Sequence, residues 1–365
     1  MGNTVRVSVL AVLAALGAVL IPAPATAIDL DQLHVYGYID LEYKQTTADK
    51  FDRSGPDDAN MKNGSFDQRH FNILADFEVV PALIVKSHVE FEHGINPGVG
   101  DASVVLEYGF VEYVAREWLK ARGGKMITPY GQFNEIHDAT PAFLTVTPPD
   151  TLYRSEDYGG FTFIPKWITG AAAFGNIPVL QHHHDIDYIV YIGNGESRST
   201  VNENEHDDNE SKALGGRLQF TTHDESFHAG VSAYYGDRAI SRARMAERHF
   251  TATAHANASF DAFTVRGEAA YSELGDWRET AWYLELSYRI GRLTPYVRYE
   301  TLDPDTSVSS DGWTIMLAGV NVRALDILFL KFEWNQHDRG PANSDIITGE
   351  KDDYGEFRAA LAVLF

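Results

Sequence analysis

Apolar and polar residues alternate along most of this chain with a period of two, in pieces of about ten residues. In "HVYGYIDLEYK", Val35, Gly37, Ile39, Leu41 and Tyr43 fall on one face and Tyr36, Tyr38, Asp40, Glu42 and Lys44 on the other. "HFNILADFEVV" and "LIVKSHVEFEH" repeat the pattern, as do "AFTVRGEAAY", "WYLELSYRI", "LTPYVRYE" and "LFLKFEWN". The chain ends in "EFRAALAVLF", where Phe357, Ala359, Leu361, Val363 and Phe365 share a face. The pattern predicts roughly 16 strands, near 33–44, 68–80, 82–93, 103–115, 118–128, 157–165, 185–194, 211–222, 226–236, 247–259, 262–273, 279–291, 293–303, 311–323, 326–337 and 354–365. In "LEYGFVEYVA" and "WTIMLAGVNVR" the apolar face switches partway, which a β-bulge in each would explain.

The connections alternate between short ones, such as 81–82, 117–118, 223–226 and 291–292, and long polar ones at 45–67, 94–102, 129–156, 195–210, 237–246 and 338–353. The 166–184 connection breaks this rule by being long where a short one is due. Tight turns at one end and long loops at the other describe an all-β transmembrane antiparallel β-barrel with short periplasmic turns and long extracellular loops. A soluble sandwich would bury the same apolar face, but its Greek-key crossings do not alternate loop length along the whole chain. Acids and bases occupy the polar face of most strands, and Tyr43, Tyr271, Trp282, Tyr288, Tyr299 and Trp334 suit the aromatic girdles of a barrel in lipid. An open edge in lipid would leave backbone groups unpaired, so "EFRAALAVLF" is expected to close the barrel against the first strand.

Composition sharpens this picture. Residues 1–27 read as an export signal, with a basic start, the apolar run "VSVLAVLAALGAVLI" and small residues before a cleavage site after Ala27, leaving 28–365 as the barrel. There is no cysteine, which excludes disulfides, thiol nucleophiles and thiolate metal sites. The net charge of −22 argues against nucleic acid as a partner. No H-E-x-x-H, G-x-S-x-G or phosphate-binding glycine loop is present, so no enzyme and no cofactor is implied.

Two stretches carry a resemblance. "ARGGKMITPYGQFNEIHD", through Gly124, Lys125, Pro129, Tyr130 and Gly131, and "DDNESKALGGRLQF", through Asp208, Asn209, Lys212, Gly215, Gly216, Arg217 and Leu218, resemble segments of Gram-negative outer-membrane porins related to the phosphate-selective porins. The resemblance implies a 16-stranded, homotrimeric diffusion channel of the bacterial outer membrane whose third outer loop, here 129–156, folds inward as the constriction. It also implies outer-membrane lipid and lipopolysaccharide as surroundings, small hydrophilic solutes as cargo, and an assembly machinery that reads the C-terminal Phe365. This chain departs from the phosphate-selective pattern. Its 129–156 loop carries Glu135, Asp138, Asp150 and Glu156 against a single Arg154, which points to a cation-leaning pore. A phosphate- or anion-selective channel is the alternative, and a non-conducting structural or adhesive barrel is the alternative of another class.

Candidate pore and constriction residues are Lys125, Glu135, His137, Asp138 and Arg154, with Lys86, Glu90, Arg122, Arg266, Arg289, Arg298 and Arg358 on the wall. The other role open to the same bases is structural, pairing across strands with Glu90, Glu268, Glu285, Glu300 and Glu356, and the two roles are compatible. "HHHD", comprising His182, His183, His184 and Asp185, could bind Zn²⁺ or Cu²⁺, but a strand sends adjacent histidines to opposite faces, so a polar connection is the preferred reading. "NENEHDDNE" at 202–210 is read as a solvated acidic loop, with Ca²⁺ as the alternative.

Overall fold

The computed structural model describes residues 30–47, 63–93, 104–155, 163, 165–180, 184–196, 211–239, 246–340 and 353–365. Residues 1–33 and 34–365 form separate units, and the barrel is the second. The expected export signal, His182 and His183, and the acidic run at 202–210 lie outside the described residues.

The strands are β1 (Leu33–Thr46), β2 (Ser65–Asp67), β3 (His70–Val80), β4 (Leu83–Glu92), β5 (Val104–Arg116), β6 (Leu119–Ile127), β7 (Trp167–Val179), β8 (His184–Asn194) and β9 (Lys212–Thr222). They continue with β10 (Phe227–Ala239), β11 (Ala246–Phe260), β12 (Phe263–Leu274), β13 (Trp277–Tyr288), β14 (Leu293–Asp303), β15 (Trp313–Arg323), β16 (Leu328–Arg339) and β17 (Asp353–Leu364). Apart from the three-residue β2, which pairs with β1, each strand runs antiparallel to its chain neighbours. The result is a closed antiparallel barrel of 16 long strands.

Closure follows the sequence pattern. β1 pairs with β17 from Tyr38↔Leu364 to Thr46↔Glu356, and Gly37 and Phe365 exchange backbone bonds of 2.9 and 3.0 Å. The Phe365 ring stacks on Phe71 of β3 at 5.8 Å. Odd-numbered apolar residues of β17 face outward, and Glu356 and Arg358 face the lumen, each nearly fully buried. The six aromatics expected in girdles all take outward positions. Trp282 lies 5.4 Å from Tyr299, and Trp334 pairs in register with Phe357, whose ring is 6.2 Å from Tyr43. Outward aromatics therefore line β13 and β14 and, beyond Met316 of β15, β16, β17 and β1.

Of three local expectations, two differ in the structure. The strand after β6 is not 157–165 but Trp167–Val179, so the third long connection runs from 128 to 166 and the short–long alternation is restored at 180–183. Gly170, Ala171, Ala172 and Ala173 carry too little side chain to show a period of two, which hid this strand. "LEYGFVEYVA" does contain a bulge: β4 and β5 shift register between His88 and Val89, and the extra residue, Glu107, is buried. "WTIMLAGVNVR" does not. β15 keeps register throughout, and Trp313, Ile315 and Leu317 face inward, where the inserted loop gives Trp313 and Ile315 an apolar partner. One further connection, Gly275–Asp276, is only two residues long at the end that otherwise carries long loops.

Candidate functional site

The described part of the 128–166 connection, residues 128–155, turns into the barrel and packs across its lumen. Gly131 makes the entry, with φ +59, and a Cβ there would meet Glu268 Oε1 at 2.3 Å and the Tyr153 hydroxyl at 2.4 Å. The Asn134 side chain donates to the Thr128 carbonyl at 2.7 Å, holding the first turn together. Tyr130, Phe133, Phe143, Leu152 and Tyr153 of the loop pack on Tyr283, Leu302, Trp313 and Ile315 of the wall, so part of the lumen is a dry core.

Around that core the wall grips the loop through its backbone. Lys331 of β16 donates to the carbonyls of Thr140, Phe143 and Thr145, the last two at 2.7 Å. Arg298 of β14 reaches Thr145 Oγ1 at 2.9 Å and pairs with Glu300 at 2.7 Å and Glu285 at 3.5 Å. Arg358 of β17 donates to Thr147 Oγ1 at 2.8 Å and Asp150 at 2.7 Å. Glu333 accepts from the Val146 N–H at 3.1 Å, Glu300 from the Thr151 N–H at 3.0 Å, and Glu268 from the Tyr153 hydroxyl at 2.8 Å. Burial works against ionisation of Asp150, but the guanidiniums of Arg358, Arg154 and Arg298 outweigh it and hold the carboxyl well below the usual carboxylate range.

The opposite flank is wetter. Glu135 of the loop pairs with Arg217 of β9 at 2.6 Å, and their side chains keep 33% and 24% of their exposure, against 1% for Arg298. Arg266 pairs with Glu285 at 3.5 Å and stands 5.3 Å over the Phe133 ring. Arg122 pairs with Glu112 at 3.4 Å between the rings of Phe110 and Phe174, and Lys86 with Asp76 at 3.5 Å. The bases of these pairs are partly exposed and lie along β4, β6, β9 and β12, while Glu112 and Glu285 are buried.

Other candidates are placed elsewhere. Lys125 sits on the strand face opposite Arg122, where its ammonium donates to the Leu106 carbonyl and stands 4.9 Å over the Trp167 ring. Arg289 is exposed in the turn after β13. Arg154 pairs with Asp150 at 3.9 Å. His184 and Asp185 take successive positions in β8 and so point to opposite faces, with the His184 ring 5.3 Å from Phe220.

His137, Asp138 and Glu90 belong to a separate buried cluster at the loop's first bend. Asp138 Oδ2 lies 2.5 Å from His137 Nε2, Glu107 Oε2 3.6 Å from the same nitrogen, and Asp138 Oδ1 3.8 Å from His70 Nε2, which is 3.9 Å from Glu90. Burial opposes charge on both His137 and Asp138, yet their mutual attraction wins, raising the imidazole and depressing the carboxyl. His70 carried no signal in the sequence and Glu107 showed only as a slip of the two-residue period, because β3, β5 and the loop meet only in the folded chain.

A barrel of 16 long strands with a polar lumen and an inserted third loop defines the outer-membrane porin class. The sequence profile of the Gram-negative porin family matches residues 10–321, and the chain belongs to that family. It is therefore a channel protein of the bacterial outer membrane. Similar solved structures include the anion-selective porin from Comamonas acidovorans (TM-score 0.63, 11% identity, 91% of this chain and 99% of that one). The outer membrane channel DcaP of Acinetobacter baumannii is also similar (TM-score 0.62, 11% identity, 93% and 100%). So is OmpT of Vibrio cholerae in its trimer form (TM-score 0.57, 10% identity, 91% and 99%). At these identities they share the fold alone. Among curated proteins, none matches the sequence.

Proposed function

We propose that the protein lets small hydrophilic solutes and ions diffuse passively across the outer membrane, without chemistry or cofactor. The observation that carries this reading is the asymmetry of the lumen: one flank is sealed onto the loop, and the other keeps half-exposed charged pairs around Glu135 and Arg217. Solutes would pass along that second flank, lined by Arg122, Arg217, Arg266 and Glu135.

Each base there has an acid partner, so the narrow zone itself carries little net field. The sign of selectivity then falls to the mouth, where the outer connections are rich in acid in the sequence, as at 202–210. Charges of this kind concentrate cations over about 8–10 Å at physiological salt. A cation-leaning pore follows. A homotrimer in outer-membrane lipid and lipopolysaccharide fits the outward apolar face, and Phe365 fits recognition by the assembly machinery. The non-conducting reading draws support from the amount of lumen that the loop fills. Ion flux through the refolded mature protein in liposomes separates the two: flux proportional to protein supports diffusion, and tight liposomes containing folded barrel favour the structural role.

A further inference from the structure

We propose that His137, Asp138 and Glu107 form a binding site for a first-row divalent transition metal, with His70 as the adjoining fourth donor, and that the bound ion staples the inserted loop to β5 and β3. The three primary donor atoms lie within 4.8 Å of one another and come from a buried imidazole, a buried carboxylate and a carboxylate that is 16% exposed.

The tautomer is the first argument. His137 Nδ1 lies 2.7 Å from the Asn134 carbonyl oxygen, which only accepts, so Nδ1 carries the hydrogen. In the neutral ring Nε2 is then a lone pair, and it points at two carboxylates, neither of which has a hydrogen to give it when ionised. Such an arrangement is satisfied by a proton or by a cation shared among the three groups. Fixing the distal nitrogen on a backbone carbonyl is also how ligating histidines are oriented.

His70 repeats the device. Its Nδ1 lies 2.8 Å from Asp40 Oδ2, and Asp40 is itself held by the His70 backbone N–H at 2.9 Å and by the Thr140 hydroxyl. This leaves Nε2 facing Asp138 and Glu90. The Trp167 indole N–H, 2.9 Å from Glu107 Oε2, orients the third donor. Lys125 and Lys166 stand over the Trp167 ring, at 4.9 and 6.0 Å, and Arg69, paired with Glu42 at 3.1 Å, is a further nearby cation.

The spacing suits a small ion. Four ligands at about 2.0–2.1 Å from a tetrahedral centre stand about 3.3–3.4 Å apart. Within the three-donor group His137 to Glu107 at 3.6 Å is close to this, and all three donors lie within 4.8 Å of one another; His70, 3.8 Å from the other oxygen of Asp138, adjoins the group. Asp138 would swing away from its 2.5 Å contact with His137 to admit the ion. Mixed imidazole and carboxylate donors without thiolate select Zn²⁺ and its neighbours over Ca²⁺ or Mg²⁺.

The test is Zn²⁺ titration of the chelator-treated, refolded full barrel by calorimetry, with Co²⁺ absorption as an independent readout of the donor set. The wild type is expected to take up one Zn²⁺ per chain and to give the visible bands of tetrahedral N/O-ligated Co²⁺. His137→Gln and Glu107→Gln should each weaken Zn²⁺ by more than the roughly 10–100-fold that loss of an outer-shell partner costs, while the triple change of His182, His183 and His184 to Ala leaves binding intact. No uptake by the folded wild type, octahedral Co²⁺ bands, or binding lost in the triple variant and kept in His137→Gln would overturn the proposal. Should a variant not fold, the wild-type stoichiometry and Co²⁺ spectrum still decide it.

Discussion

Replacing Lys331 by Met tests how the loop is held. The ammonium is fully buried and donates to three loop carbonyls, those of Thr140, Phe143 and Thr145. Methionine preserves the stem and its contact with Phe143 but satisfies none of the three acceptors. Each buried carbonyl left without a donor costs about 1 kcal/mol at the low end of the usual range, so the loop loses about 3 kcal/mol of anchoring. At about 1.4 kcal/mol per tenfold, local opening of the loop should rise about a hundredfold. The barrel ladder does not depend on Lys331, so the variant should stay folded. Amide hydrogen exchange reads the effect directly: N–H groups of Val146 and Thr151, bonded to Glu333 and Glu300, should exchange about a hundredfold faster. Single-channel records should show added current noise. Unchanged exchange at these amides in a folded Lys331→Met barrel would refute the reasoning.

Other perturbations probe separate parts of the account. Glu135→Lys breaks the pair with Arg217 and puts two bases at the wet flank, so the reversal potential in a KCl gradient should move toward Cl⁻; an unmoved potential removes Glu135 from the ion path. Asp150 is depressed in the folded state, so its contribution to loop anchoring is complete above about pH 4, the ordinary carboxylate value, and is lost as pH falls through the lower folded value. Conductance should therefore become noisier on strong acidification and be steady from pH 5 upward; noise that begins near neutrality contradicts this assignment. Gly131→Ala introduces strain at φ +59 and a clash with Glu268 and Tyr153, with an expected loss of about 1–3 kcal/mol. A lower unfolding temperature of the loop by hydrogen exchange, with the barrel's own transition retained, is the expected signature.

Much of the barrel was legible because its physics is local and repeated. Along β1, β3, β4, β12 and β17 the two-residue period assigns each face from the sequence, and the bulge at Glu107 is visible as the point where the period slips. The 167–179 strand was not legible, since glycine and alanine give no contrast between faces. β15 misled for the opposite reason. Its inward Trp313 and Ile315 break the polar-in rule because loop residues Phe133, Phe143 and Leu152 pack with them, and no pattern within β15 carries that information.

The site was half legible. Glu135, His137 and Asp138 stand out on the loop, and Arg298 and Arg358 on the strands, but their partners depend on where the loop lands. Arg298 and Arg358 became clamps for Thr145, Thr147 and Asp150, and Glu135 met Arg217 of a distant strand. Arg289 shows the limit of parity at a strand end: the alternation that puts Glu285 in the lumen continues past the last rung of β13 to a residue already in the turn.

The most direct test of the central claim is single-channel recording of the refolded mature protein in a planar bilayer under a KCl gradient. The account predicts stable conductance steps with a reversal potential toward K⁺. A folded, heat-modifiable barrel that inserts and gives no steps would contradict it.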